Sequence, residues 1–208
     1  MEILLTILLA VAAFLLGAVP FSVIIGRLFL HKEITRYGDG NPGAANVFRA
    51  GGNKFGMLAV FFDVIKGIPL VWLSHSSLFN LPILSTVFIA VWAVLGHGFS
   101  PFLHGHGGKA IAVTFGVMLG LPQYNVLLTF IVFILIGFFL IDVDAWKIIF
   151  GAAASFVYLL IAYRASWQPL LMFLLLAILV IKHYESLRTA PHLRGLLFRW
   201  VQTIFRNA

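Results

Sequence analysis

The sequence predicts an all-α, polytopic membrane helix bundle, and its composition and the placement of its charges carry that prediction. Of 208 residues, 62% are hydrophobic and 10% charged, with a mean hydropathy of +1.05. Such values belong to multi-pass membrane proteins rather than soluble domains. A hydrocarbon core of ~30 Å takes roughly 20 apolar residues per helix, and about seven such stretches fit the chain. With seven spans, one set of loops receives Lys32, Arg36, Arg49, Lys54, Lys109, Lys147, Lys182, Arg188, Arg194, Arg199 and Arg206, and the opposite set only Arg164. Lysine and arginine favour the cytoplasmic side, so the N-terminus is expected outside and the C-terminus inside. The net charge of +7 thus reflects topology, and no nucleic-acid partner is expected.

The first span is expected over Ile3–Leu30, kinked at Pro20 because proline lacks the N–H that a helix interior needs. Glu2 and the lack of a basic leader argue for a retained helix rather than a signal peptide. Further spans are expected over Phe55–Leu73, Leu81–Phe102, a shorter Ala110–Leu121, Val126–Ile141, Ile148–Tyr163, and from Gln168-Pro169 to His183. Residues 1–190 are expected to form one domain, as no internal repeat is visible. After Pro191, apolar Leu193, Leu196, Leu197, Trp200, Val201, Ile204 and Phe205 follow helical spacing, with Arg194, Arg199, Gln202 and Arg206 on other faces. That pattern predicts an amphipathic helix over 191–208 lying on the inner leaflet.

The polar chemistry gathers in a few inner-side segments. Gly38–Gly52, GDGNPGAANVFRAGG, holds five glycines and a proline in 15 residues, a composition that predicts an ordered loop. Its glycines, with Asp39, Asn41, Asn46 and Arg49, can offer N–H donors and a guanidinium to an oxyanion. Asp63 and Lys66, at i, i+3 in FFDVIKG, share one helix face inside a span. They are either an internal ion pair or functional groups facing a cavity, and Lys66 could instead reach a bound phosphate. Gly105–Lys109, GHGGK, combines glycine turns and a cation just before a predicted helix, a setting that favours anions. It is not a Walker A loop, as Leu103 takes the first-glycine position and Ala110 replaces Ser/Thr. His97 and His183 each end a span, either as dipole-stabilised imidazoles or as acid/base groups.

Other chemistries find little footing. The chain has no cysteine, and His104 with His106 alone would make a poor metal site, so no metal or cofactor is expected. The HxxxxD acyltransferase pattern and a Ser-centred nucleophile elbow are missing, as are the further aspartates of CDP-alcohol phosphotransferases.

GNPGAANVFRAGG with Lys54 and Gly56, then FFDVIKG, GHGFSPFLHGHGGKAIA and VIKHYE, in this order and spacing, resemble the PlsY-type glycerol-3-phosphate acyltransferases of bacterial membranes. The resemblance runs from about Leu16 to His183. It implies a seven-span enzyme of phospholipid synthesis in the bacterial cytoplasmic (inner) membrane, with its active site on the cytoplasmic face. The implied reaction moves an acyl chain from acyl phosphate to the first hydroxyl of glycerol 3-phosphate, giving lysophosphatidic acid and phosphate. Arg49 and Lys109 would neutralise phosphate beside backbone N–H groups of Gly43, Gly107 and Gly108, with Asn41 and Asn46 ordering the loop or binding substrate. His183 would hydrogen-bond or orient the acceptor, Asp39 could act as a base, Lys66 would join the phosphate-binding groups, and His97 and Asp63 would support the site.

The chain also departs from the family pattern. Asp39 stands where a serine is usual, Ala45 where threonine is, Ala18 in place of an early motif serine, and His106 in place of lysine. The loop Asp142-Val143-Asp144-Ala145-Trp146 replaces a basic, serine-bearing one, and Ser186-Leu187-Arg188-Thr189 replaces Asn-Ile-x-Arg. Hydroxyls are lost and carboxylates gained where a dianion would bind, which predicts like-charge repulsion. Two alternatives follow: a paralogue that acylates a different, non-phosphate lipid or polar acceptor, and a non-catalytic lipid-binding or transport-associated membrane protein.

Overall fold

The structure, a computed structural model, describes residues 1–192. The expected tail helix lies, from residue 193 on, outside the described residues. The described elements are helical: α1 (Glu2–Ala18), α2 (Phe21–Leu30), α3 (Ala44–Ile65), α4 (Pro69–His75), α5 (Ile83–Gly98), α6 (Ile111–Leu119), α7 (Asn125–Leu140), α8 (Asp144–Ala162) and α9 (Trp167–Leu187), with 3₁₀ turns at Ile34–Arg36 and Pro101–Leu103. Five helical stretches are long and apolar enough to cross a membrane: Glu2–Leu30, Ala44–His75, Ile83–Leu103, Asp144–Ala162 and Trp167–Leu187. α7, with 16 residues, and α6, with nine, are shorter. At 1.5 Å per residue, α6 rises only ~14 Å, about half a hydrocarbon core. Leu4, Ile7, Leu8, Val11 and Leu15 leave α1 with an exposed apolar face, as lipid contact requires.

The backbone divides into two compact units, Met1–Tyr124 and the chain from Asn125 onward. In the first, α1 packs along α5, and α3 packs against both α2 and α6. In the second, α8 packs against α7 and α9.

Three of the expected spans differ in ways that shape the site. The first is broken, not merely kinked. α1 stops at Ala18 and α2 starts at Phe21, because Pro20 has no N–H and its ring excludes the preceding turn. The second begins earlier than expected, at Ala44, so the glycine-rich stretch is half helix rather than all loop. Burial overrides propensity there: Val47 and Ala50 lie one turn apart on α3 and enter a core with Val23, Ile25, Ile34 and Ala59. The glycines instead admit a kink, Gly52 taking φ 74° and ψ −170° within α3. This span also pauses after Ile65 and restarts at Pro69, a residue suited to a helix's first turn. The third span's helix ends at Gly98, and the chain turns through Pro101–Leu103 into the GHGGK segment.

Close approach of α1 and α5 rests on small residues. A Cβ on Gly96 would stand 2.0 Å from the Phe14 carbonyl oxygen, so the helices cannot keep their spacing with a larger side chain. Gly96→Ala should therefore destabilise the fold by about 1–3 kcal/mol, visible as a lower unfolding temperature in mild detergent; an unchanged transition would show that the helices do not pack this closely.

Candidate functional site

Breaking the first span at Val19-Pro20 exposes carbonyls that the helix no longer satisfies, and the polar core of the first unit forms around them. The Ser100 hydroxyl donates to the Ala18 carbonyl at 2.6 Å, and the Lys66 ammonium to the Val19 carbonyl at 2.8 Å. Lys66 also pairs with Asp63 at 2.7 Å, and the Ser22 hydroxyl donates to the other Asp63 oxygen at 2.9 Å. The ammonium further lies over the Phe21 ring, 5.7 Å from its centre. Asp63 and Lys66 are 2% and 4% exposed, so both charges are compensated within the protein. Asp63 and Lys66 thus form an internal ion pair at the helix break.

His97 carries the polar core toward the GHGGK loop. Its Nδ1 lies 3.8 Å from Asp63, and its carbonyl accepts the Gly108 N–H at 3.1 Å. A Cβ on Gly108 would fall 2.2 Å from His97 Nε2, so the loop rests directly on the imidazole. A small cleft beside this contact is lined by Pro42, Asp63, Lys66, His97, Ser100 and Gly108, among others. His97 and Asp63 thus support the loop that bears Lys109.

In the same unit, the polar half of the glycine-rich stretch meets Lys109. One Asp39 oxygen pairs with Lys109 Nζ at 2.7 Å. The other accepts from Asn46 Nδ2 at 3.0 Å and from the Asn41 N–H at 3.2 Å, and lies 3.9 Å from Arg49 Nη1. Asn46 also donates to the Asn41 carbonyl at 2.8 Å and accepts from Arg49 at 2.6 Å. Asn46 and Arg49 can act together because they lie at i, i+3 on α3, just after Gly43 as its N-cap. Gly38, with φ 56°, completes the cluster: a Cβ there would lie 2.4 Å from Asn46 Oδ1 and 2.5 Å from Arg49 Nη1.

The electrostatics of Asp39 follow from these partners. Burial raises its pKa, but hydrogen bonds from Lys109, the Asn41 N–H and Asn46, with the Lys109 charge, more than offset this and hold it below the ordinary 3.8. A carboxylate so engaged is a poor proton acceptor near neutral pH. Asp39 stands here as the counter-ion of Lys109. Because its pKa is lowered by folding, its stabilising contribution is present above about pH 3.8 and is lost as pH falls through the lower folded-state value.

In the first unit, then, Asp39, Asn41, Asn46, Arg49 and Lys109 come together, with Gly43 opening α3 and Gly107 and Gly108 leading to Lys109. His183 lies in the second unit, on α9. It is 2% exposed, with Nδ1 2.8 Å from the Leu179 carbonyl, to which it donates. In the acidic loop of that unit, Asp144 is partnered, pairing with Lys147 at 2.6 Å. Sequence reasoning missed Ser22, Ser100 and Gly38. Gly38 was visible as the start of the glycine-rich stretch, whereas the serines carry no local signal.

Helices long enough to cross a membrane several times, joined by loops that gather two cations and several amide donors, define an integral-membrane protein with a candidate anion site. A family model described as glycerol-3-phosphate acyltransferase matches residues 7–190. The glycerol-3-phosphate acyltransferase of Lactococcus lactis subsp. cremoris (strain MG1363) is 32% identical over 89% of each chain. Glycerol-3-phosphate acyltransferase 2 of Bacillus anthracis is 33% identical over 88% of this chain and 93% of its own. The fold is also similar to a crystal structure of PlsY (YgiH), an integral membrane glycerol 3-phosphate acyltransferase, in its glycerol 3-phosphate form. There the TM-score is 0.76 and the identity 27%, over 88% of this chain and 90% of that one. A lysophosphatidic acid form of PlsY gives a TM-score of 0.74 at the same identity and coverage. The chain belongs to the glycerol-3-phosphate acyltransferase family and is a multi-pass membrane acyltransferase.

The buried pair should carry much of the first unit's stability. Asp63→Ala strands the Lys66 ammonium in an apolar interior and should cost on the order of 3–5 kcal/mol, read as a large fall in the detergent unfolding midpoint. A midpoint close to that of the unaltered protein would mean that Asp63 and Lys66 are not paired in the interior.

Proposed function

We propose that this protein transfers an acyl chain from acyl phosphate to the first hydroxyl of glycerol 3-phosphate, releasing lysophosphatidic acid and phosphate. The carrying observation is the convergence of Arg49 and Lys109 on one carboxylate-sized position, beside the Asn46 amide and the Asn41 backbone N–H. A phosphate monoester offers the oxygens that such donors bind, and a guanidinium beside an ammonium suits its charge. The family membership fits an acceptor of that kind. The strong excess of lysine and arginine on one set of loops supports a site on the cytoplasmic face of the bacterial inner membrane.

The chemistry asks little more of the protein than position and charge. The acceptor hydroxyl attacks the acyl carbon, the bond from that carbon to the phosphate oxygen breaks, and phosphate leaves with the bonding pair. The hydroxyl proton ends on the departing phosphate, so atoms and charge balance without a protein nucleophile. Holding the two substrates together and stabilising the developing oxyanion are recognised sources of large acceleration. The Gly107 N–H beside Lys109 would serve the donor phosphate, while the Gly108 N–H holds the loop on the His97 carbonyl. For His183, on α9, the proposed role is to orient the acceptor hydroxyl, and it rests on the VIKHYE motif.

The test is transfer by purified protein in lipid, with acyl phosphate as donor and glycerol 3-phosphate, other polar alcohols or no acceptor added. Lysophosphatidic acid should form only with glycerol 3-phosphate. Arg49→Ala should lower kcat/KM by 100-fold or more, as expected when a charged hydrogen bond in the site is removed. Turnover with a neutral acceptor alone would overturn the proposed acceptor, and full activity in Arg49→Ala would remove that residue from the site.

A further inference from the structure

We propose that Asp39 is a built-in competitor for the acceptor's phosphate, a carboxylate that holds Lys109 and Arg49 until an incoming phosphate displaces it. The inference takes the natural ligand from the acyltransferase reading, but the competing charge itself is a property of this chain. Asp39 takes one bond from Lys109 Nζ, two from the Asn46 amide and the Asn41 N–H, and stands 3.9 Å from Arg49. Those are the donors that a phosphate would use, and a carboxylate satisfies them with the same type of oxygen. Two negative groups cannot share the position without repulsion, so phosphate binding must include displacement of Asp39.

The mounting of Asp39 permits that displacement. It sits between Gly38 and Gly40, both at positive φ (56° and 73°), on a turn held outside the helices. Its side chain is 41% exposed, so water is at hand to solvate the carboxylate once it leaves Lys109. The turn itself has anchors that do not involve the carboxylate, since the Gly40 N–H donates to the Tyr37 carbonyl at 3.1 Å and Asn46 holds the Asn41 carbonyl. The consequence is an acceptor affinity set by competition. Ion pairs at this degree of exposure are worth up to ~1 kcal/mol, which converts to a factor of about five in phosphate affinity.

The experiment measures dissociation constants for inorganic phosphate and for glycerol 3-phosphate, by calorimetry in detergent at fixed pH and low salt. It compares the unaltered protein with Asp39→Asn, which keeps the shape and loses the charge, and with Asp39→Ser, which removes the carboxylate by a different route. Both variants should bind phosphate about five-fold more tightly, and the gain should shrink as salt rises. Adding Lys109→Ala should reduce the gain, because the nearest competed cation is gone while Arg49 and the amide donors remain. Unchanged or weaker phosphate binding in the two variants would overturn the inference, as would a gain just as large without Lys109. Tighter phosphate binding without any acyl transfer to glycerol 3-phosphate would leave the competitor standing and remove the proposed acceptor. Transfer by the unaltered protein with no gain in the variants would do the reverse.

Discussion

The buried Asp63–Lys66 pair is the contact on which the rest of the first unit depends. A helix interrupted at Pro20 inside a membrane must find partners for its carbonyls within the protein, since lipid supplies none. Lys66 donates to the Val19 carbonyl and Ser100 to that of Ala18. The ammonium that does this work is itself stable in the interior only because Asp63 stands 2.7 Å away. Asp63 in turn accepts from Ser22 on the far side of the break and faces His97. One ion pair thus joins both halves of the first span, the second span and the end of α5. Paired charges of this kind contribute little net stability against an apolar replacement, but losing one partner is costly. Their physical effect is to fix which groups meet.

What they fix is the base of the candidate site. His97 touches Gly108 through both its ring and its carbonyl, so the loop leading to Lys109 is seated on the polar core. From the other direction, Val47 and Ala50 anchor the first turns of α3 in the core, and Asn46 and Arg49 project from the same turns toward Asp39. The site is therefore held by two rigid supports, a histidine at a helix end and a helix N-terminal segment. Catalysis that depends on position and charge requires such support.

Much of this was legible in the sequence. Hydropathy and the one-sided distribution of lysine and arginine gave the helical membrane architecture, because lipid contact and topology act on composition directly. The motif-bearing segments were also visible, since glycine, asparagine and basic residues stand out in an apolar chain. The fine structure was less accessible. Glycine content pointed to a loop from Gly38 to Gly52, yet α3 starts at Ala44 because burial of Val47 and Ala50 outweighs local propensity. Pro20 announced a disturbance, but not that Ser100, far along the chain, would satisfy one of the freed carbonyls. Lys66 was assigned either to a phosphate or to Asp63, and only the fold could place it at the helix break. Asp39 read as a misplaced negative charge, while its pairing with Lys109 depends on two loops meeting in space.

The most direct measurement is an experimental structure of this protein with glycerol 3-phosphate bound in lipid. The account predicts the phosphate within hydrogen-bonding distance of Arg49 and Lys109, with the Asp39 carboxylate turned away from Lys109 and the Asp63–Lys66 pair intact. A phosphate bound elsewhere, with Asp39 still on Lys109, would contradict it.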